Sequence, residues 1–298
     1  MSRTVDVFQV DAFTTRLFTG NPAGVVLGAD CLSDAEMQAI ARELNNGDTA
    51  FVLAAAGDDH DIRVRFFTPR TEAAFVGHAT IAAHAVLASR DPCPSRRQAG
   101  KSGLVEVSVL ENGAGFSIRQ PPPALGRYLD NGELQPVLDA LGLDAAQLDP
   151  ECTPRIAGSG STRLLLALKE GGALQGLAPD LAALGRLSPQ IGAAGYFVFS
   201  RAPSVAGVDV ESRMFCPALG IPEDPVSGNA HGLLGAHLLE QGLLPVREGR
   251  AGFRGAQGHH MGRAGQVGIQ LDVDARGRCA GAHIEGAAVL VFQTQISI

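Results

Sequence analysis

The sequence predicts an α+β fold made of two similar lobes, and three observations lead to that prediction. Its 298 residues correspond to about two domains of roughly 150 residues each. Alternating or β-rich runs dominate the first half of the chain, so strands should predominate there. Short motifs of the first half recur in the same order in the second half, which indicates an internal duplication.

The first half is expected to contain six strands and two helices. Residues 32–45 predict an amphipathic helix, because apolar residues recur at helical spacing after a capping box formed by Ser33 and Glu36. A second helix is expected to begin at Gly77, and its small apolar residues predict a central, enclosed position. The strands are predicted at residues 5–13, 23–27, 49–54, 62–67, 104–110 and 115–118.

The boundary between the lobes is expected at the proline cluster of residues 120–123, which can neither pair in a sheet nor continue a helix. It divides the chain into lobes 1–121 and 122–298, with a last strand that can return to the first lobe. In the second lobe, helices are predicted at residues 133–141 and 177–187, and strands at 163–168, 195–199, 208–215, 265–273 and 287–292.

Composition excludes several classes of function. A net charge of −7 without a basic stripe argues against nucleic-acid binding. No apolar run approaches the roughly 18 residues of a membrane span, and the N-terminus lacks the pattern of a signal peptide, so we expect a cytoplasmic protein without a membrane partner. The five cysteines are widely spaced and lack metal-site spacing, which predicts reduced thiols and no metal.

The duplication rests on three matches between the halves. Residues 47–54 resemble residues 160–167, and this match pairs Asp48 with Ser161. Residues 67–69 (FTP) resemble 215–217 (FCP). A glutamate precedes a glycine by five residues in both halves, Glu72 before Gly77 and Glu223 before Gly228. The alternative is a chance recurrence of common turn motifs.

The duplicated glycines suggest where chemistry takes place. Each would lie at the start of a buried helix, where unpaired N–H groups and about half a positive charge suit an anion, so a small carboxylate is the expected ligand. The alternative for Gly77 and Gly228 is close helix packing. His78 and Asp224 lie beside these glycines and are candidate substrate contacts, although a helix-start residue and a turn former are the ordinary interpretations.

Asp48 is the candidate acid/base. Because Ser161 is not an acid, one carboxylate would have to remove a proton and return it elsewhere, which favours isomerisation over racemisation. If Phe51, Phe67 and Phe75 line its surroundings, the pKa of Asp48 should be raised. The alternative is an ordinary turn residue in the Asn-Gly-Asp segment.

These residues resemble the phenazine-biosynthesis isomerase (PhzF) family, whose fold is shared with diaminopimelate epimerase. The resemblance spans the chain in family order. It is carried by residues 8–13 (FQVDAF), 20–25 (GNPAGV), 47–52 (GDTAFV), 65–69 (RFFTP), 77–80 (GHAT), 223–228 (EDPVSG), 257–258 (QG) and 261–263 (MGR).

The resemblance implies two lobes, each a mostly antiparallel sheet rolled around a central helix, with the active site in the cleft between them. It also implies a homodimer and catalysis without metal or other cofactor. Asp48 would be the acid/base, His78 and Asp224 would orient the substrate, and Gly77 and Gly228 would supply backbone donors. In the phenazine enzyme the reaction is a proton shift that isomerises a dihydro-hydroxyanthranilate.

The chain departs from the family pattern at two positions. The family usually has glutamate where this chain has Asp48, whose carboxylate is retracted by roughly 1.5 Å on covalent geometry. This argues against the phenazine substrate, unless Gly47 lets the turn approach the ligand or the natural substrate is bulkier there. Asn229 stands where the phenazine enzyme has serine, which changes a substrate contact.

The leading hypothesis is therefore a cofactor-independent isomerase that acts on a small carboxylate. An amino-acid epimerase is the second hypothesis, but it needs two opposed bases, generally thiols, and no cysteine adjoins Gly77 or Gly228. The third is a ligand-binding protein that keeps the site without catalysis.

Overall fold

A computed structural model describes residues 3–111, 113–158 and 161–298. The chain divides into two compact units. The first unit extends to Gln120 and includes Ile284–Ile298, and the second is Pro121–His283. No helix in the described ranges is long and apolar enough to cross a bilayer.

The first unit contains two helices and a set of mainly antiparallel strands. Helix α1 begins with the predicted capping box, in which the Ser33 side chain accepts from the Glu36 N–H and the Glu36 side chain accepts from the Ser33 N–H. The elements are β1 (Thr4–Ala12), β2 (Asn21–Leu27), α1 (Asp34–Leu44), β3 (Asp48–Ala54), β4 (Ile62–Phe67), β5 (Glu72–Ala73), α2 (Gly77–Arg90), β6 (Ser95–Gly100), β7 (Gly103–Val109) and β8 (Phe116–Gln120).

The core of the first unit has two layers because side chains alternate along β3. Ala50 and Val52 pack toward α2, against Ala79 and its neighbours. Phe51 and Leu53 pack on the opposite face, toward α1. Helix α2 packs against β1, β2, β3, β8 and a C-terminal strand, so the sheet is wrapped around it.

The second unit follows the same plan. Its central helix packs against β9, β15 and β16. The elements are β9 (Leu125–Tyr128), α3 (Asn131–Leu141), β10 (Arg155–Ala157), β11 (Arg163–Leu168), α4 (Gly172–Gln175), α5 (Leu181–Ile191), β12 (Gly195–Ser200), β13 (Val210–Cys216), β14 (Ile221–Asp224), α6 (Gly228–Glu240), β15 (Arg250–Gln257), β16 (Gly265–Val273) and β17 (Cys279–Gly286). Strand β17 crosses from the second unit into the first at Ile284, and β18 (Ala288–Ser297) belongs to the first unit and pairs with β1.

The bounds predicted for helix α5, residues 177–187, are wrong. The helix begins at Leu181 because the Asp180 side chain caps it by accepting from the Ala183 N–H. It ends at Ile191 and is followed by Gly192, whose φ of 73° suits a residue without a side chain.

The order of pairings confirms the pseudo-symmetry. In the first unit β2 is parallel to β3, β3 is antiparallel to β4, β4 is antiparallel to the short β5 before the central helix, and β6 is parallel to β4. In the second unit β11, β12, β13, β14 and β15 repeat this pattern around α6. The predicted α+β fold with two similar lobes is therefore confirmed.

The pairing of Asp48 with Ser161 is wrong by one strand. Thr49 lies opposite Phe67 in the first unit, and Tyr196 lies opposite Phe215 in the second. Because these phenylalanines are equivalent, the residue that corresponds to Asp48 is Gly195. The sequence match was misleading because it aligned β3 with β11, although the counterpart of β3 is β12. Gly160, which the same match used, lies outside the described residues.

Candidate active site

Asp48 is the first residue of β3, where it pairs in parallel register with Ala23 of β2. By alternation along the strand, its side chain shares the face of Ala50 and Val52, which is directed toward α2. The side chain is 16 % exposed. The acid is therefore placed near the start of the central helix, partly shielded from water.

His78 lies in the first turn of α2, beside Asp48. Its Nε2 is 3.8 Å from Oδ2 of Asp48, too far for a direct hydrogen bond. Burial lowers the pKa of His78 to about 4, so the imidazole is neutral near pH 7 and the two groups do not form an ion pair. The buried Nε2 has no hydrogen-bond partner among the described residues. The carboxylate of Asp48 thus lies beside an uncharged imidazole whose Nε2 can still form a hydrogen bond.

A reciprocal amide pair holds the turn before Asp48. The Gln9 Nε2 donates to Oδ1 of Asn46 at 3.0 Å, and the Asn46 Nδ2 donates to Oε1 of Gln9 at 2.8 Å. Asn45, at φ 52°, ends helix α1 immediately before this turn. The sequence indicated a turn here, but nothing in its periodicity indicated that Gln9 fixes it.

Replacing Asn46 with alanine is expected to slow turnover more than it destabilises the fold. Two hydrogen bonds disappear, at a cost of about 1–3 kcal/mol, while a displacement of Asp48 by about 1 Å costs on the order of 100-fold in rate. Turnover and urea unfolding measure the two effects. A matched control is Gln295→Ala, which removes an exposed amide that donates to Asp6 in the same unit. A rate for Asn46→Ala within twofold of the control would contradict the role of the turn.

The three aromatic residues expected around Asp48 do not share one face. Phe51 and Phe67 belong to the layer that faces α1, with their rings edge to face at 5.4 Å. Phe75 packs on the α2 side, against Phe66. Only Phe75 thus lies on the face of β3 toward which Asp48 points.

The candidate residues of the second unit lie together at the start of α6. Asp224 ends β14, Gly228 opens the helix and is buried, and Asn229 follows it and is exposed. The Ser227 side chain caps α6 by accepting from the Ala230 N–H. In α2 the N-cap residue is Val76, whose side chain cannot cap, so Gly77 and His78 begin a helix without a side-chain cap.

Gln257 holds the turn that precedes α6, a role that was not predicted from the sequence. Its Nε2 donates to the carbonyl oxygen of Asp224 at 2.6 Å, and its Oε1 accepts from the Ser227 N–H at 3.1 Å. The side chain is buried. A buried glutamine at the end of a strand has no periodic signal, although residues 257–258 belong to the stretches that carried the family resemblance.

Gly195, the counterpart of Asp48, has no room for a side chain. A Cβ there would lie 2.6 Å from the Cys216 Sγ and 3.1 Å from the Phe215 carbonyl oxygen. Burial raises the pKa of Cys216 to about 12, so this thiol is protonated near neutral pH. The second unit therefore presents neither a carboxylate at this position nor a reactive thiolate at Cys216.

Acid is expected to destabilise the protein through its buried histidines. Burial lowers the pKa of four of them to about 4: His78, His84, His231 and His237. Between pH 6.5 and 4 the unfolded chain binds more protons than the folded chain, so the free energy of unfolding falls as the pH falls through this window. Near pH 5.3 each of these histidines is therefore expected to take up about one proton on unfolding.

Urea unfolding at a series of pH values measures this slope. His84→Gln should lower the uptake by about one proton, because it removes one buried ring that is neutral in the folded state. A free energy of unfolding that does not change between pH 6.5 and 5 would contradict the prediction.

Comparison with known proteins shows the family of this chain. The family described as "Phenazine biosynthesis-like protein" (PhzC-PhzF) matches residues 10–294. The chain belongs to this family. It is 38% identical to the uncharacterized isomerase YddE of Escherichia coli O157:H7, over 98% of each chain. These names support an isomerase of the PhzF type.

Solved structures support the fold. A PhzF-family phenazine biosynthesis protein from Bacillus anthracis matches with a TM-score of 0.87 and 28% identity, over 99% of this chain and 100% of that chain. A hydroxyproline epimerase from Agrobacterium vitis, solved with bound trans-4-hydroxy-L-proline, matches with a TM-score of 0.64 at 15% identity, over 99% of this chain and 93% of that chain. The second structure shows that an epimerase has a similar fold.

Proposed function

We propose that this PhzF-family protein is a cofactor-independent isomerase in which Asp48 moves a proton between two carbons of a small carboxylate substrate. The observation that carries the proposal is the carboxylate of Asp48 at 3.8 Å from the buried, neutral imidazole of His78. A carboxylate can accept a proton from an activated carbon and donate it to another. The neutral imidazole can bind the substrate without adding charge.

The glycine at the position equivalent to Asp48 supports isomerisation rather than racemisation. Inversion at one carbon needs a base on each face, whereas a proton shift can use one base that acts twice. Gly195, the counterpart of Asp48, has no side chain to supply the second acid/base group. Asp224, Gly228 and Asn229 are proposed to bind the substrate in the second unit, and Gly77 in the first.

Proton exchange with solvent tests the proposal. Small carboxylates with an activated C–H bond, among them cyclic dienyl amino acids and proline derivatives, are incubated with the protein in D₂O and followed by NMR. A shifted double bond with deuterium at the new C–H position is the expected result. Inversion at Cα with deuterium there would favour an epimerase, and binding without exchange would favour a binding protein. The homodimer implied by the family resemblance stays a prediction.

A further inference from the structure

Arg163 is a buried arginine without a carboxylate partner among the described residues. Its Nη1 donates instead to two neutral acceptors, the Ser161 Oγ at 2.7 Å and the Thr162 carbonyl oxygen at 2.9 Å. The other buried arginines in the described ranges each have a carboxylate partner: Arg96 with Asp91, Arg155 with Glu240, and Arg213 with Glu223.

The Nε of Arg163 is also buried and lacks a hydrogen-bond acceptor in the described part of the chain. The residue as a whole is 8 % exposed. A buried donor without an acceptor costs about 1–3 kcal/mol, and more when it is charged. Buried charges in folded proteins are normally paired. An unpaired guanidinium with a donor to spare is therefore suited to an anion that comes from outside the chain.

The neighbouring thiol does not supply that anion. A Cβ on Gly195 would lie close to both the Cys216 Sγ and the Arg163 Cδ, at 2.6 Å and 3.0 Å, so the two side chains meet over this glycine. The charge of Arg163 favours the thiolate, but burial outweighs it and raises the pKa of Cys216 to about 12. The sulfur is therefore uncharged near neutral pH.

The repeat gives this arginine a specific place. Arg163 pairs in parallel register with Gly195, the counterpart of Asp48. Gly195 shares its strand face with Phe197, which packs against His231 of α6 at a ring distance of 5.0 Å. In the second unit, the side chain of Arg163 thus lies over Gly195, beside the central helix α6. In the first unit, the carboxylate of Asp48 occupies the equivalent position beside the central helix α2.

We propose that Arg163 is an anion-binding residue and that its Nε–H donates to a carboxylate of the substrate. This inference rests on the proposed function for the class of substrate. Arg163 would hold this carboxylate within the second unit.

NMR of the arginine side chains tests the contact directly. A buried Nε–H exchanges slowly and gives its own signal, which is assigned to Arg163 by its loss in Arg163→Lys. Millimolar 2-aminobenzoate is the probe, and 2-aminobenzamide, which lacks the negative charge, is the matched control. We expect a downfield shift of the Nε–H proton with the acid and little change with the amide. A signal that does not move with the acid, or moves equally with both, overturns the proposal.

Calorimetry of the variants gives a second measurement. Arg163→Met should weaken the binding of 2-aminobenzoate by about 10- to 100-fold, because a hydrogen bond to a charged group is lost. Arg186→Met removes an exposed arginine of the same unit and should bind as the wild type does. Equal affinities in all three proteins overturn the proposal. If Arg163→Met does not fold, the NMR titration of the wild type decides.

The same titration on Asp48→Asn separates this inference from the proposed function. A persistent Nε–H shift in a variant without turnover supports both proposals. A shift in a wild-type protein that exchanges no substrate protons supports the anion site and contradicts the isomerase.

Discussion

Replacing Asp48 with asparagine is expected to lower the rate of proton exchange by about 100- to 10,000-fold, the range that a positioned acid/base contributes. Asparagine has nearly the size of aspartate but cannot take up a proton at neutral pH. Since Asp48 is a half-buried residue at the start of β3 and not part of the apolar core, the variant should fold. Deuterium incorporation by NMR measures the rate, and circular dichroism checks the fold.

Two further variants make the result specific. Asp58→Asn removes an exposed carboxylate from the same unit and should exchange at the wild-type rate. Asp48→Glu restores the acid of the family pattern and extends the carboxylate by roughly 1.5 Å. Asp48→Glu should still exchange substrate protons, but at a different rate. A displacement of the carboxylate by about 1 Å can change the rate on the order of 100-fold. Full exchange activity in Asp48→Asn would remove this residue from the mechanism.

The fold was predictable where local patterns and the final structure agree. The capping box of Ser33 and Glu36 marked the start of α1, and the small residues after Gly77 marked an enclosed central helix. The strands β6 and β15 were missed. Their sequences, SRRQAG and RAGFRGAQ, are rich in polar residues and glycine, and they become strands because β4 and β13 offer them parallel edges.

The candidate site was predictable in part. The sequence singled out Asp48 and His78 separately, and the structure brings them to 3.8 Å. The sequence did not indicate those site residues whose place depends on which residues lie opposite each other in neighbouring strands. The counterpart of Asp48 is Gly195 rather than Ser161, and this follows only from which residue faces Phe215 across β12 and β13. Arg163 was missed for the same reason, since its neighbour in the sheet is 32 residues away.

Each unit contains an arginine–glutamate ion pair at equivalent positions, and the pair of the second unit, Arg213 with Glu223, is the more buried one. Breaking this buried pair is expected to have the largest effect on the free energy of unfolding. Glu223→Gln should lower the free energy of unfolding by about 3–5 kcal/mol, because it leaves a buried guanidinium without its counter-charge. The side chains of Arg213 and Glu223 are 6 % and 13 % exposed and form two hydrogen bonds of 2.8 Å. Urea unfolding with wild type and variant measures the change.

The first unit supplies the matched control for this substitution. Arg65 and Glu72 occupy the equivalent positions, but their side chains are 28 % and 23 % exposed, and Arg65 also pairs with Asp34. Water and Asp34 can therefore compensate for the lost charge, so Glu72→Gln should cost no more than about 1 kcal/mol. Equal losses in the two variants would show that burial does not set the strength of the pair.

Removing both charges of the buried pair should recover only part of the stability. Exchanging a buried ion pair for apolar residues is often neutral, because the cost of desolvating the charges disappears with them. Here Arg213 also donates through Nη1 to the carbonyl oxygens of Leu174 and Leu177, at 3.0 Å and 2.7 Å. The double variant Arg213→Met/Glu223→Leu removes the guanidinium donor of the Leu177 carbonyl oxygen, at about 1–3 kcal/mol, whereas the Leu174 carbonyl oxygen still accepts from the Leu177 N–H. We therefore expect the double variant to remain less stable than the wild type, and full recovery in urea unfolding would mean that water replaces the guanidinium at the Leu177 carbonyl group.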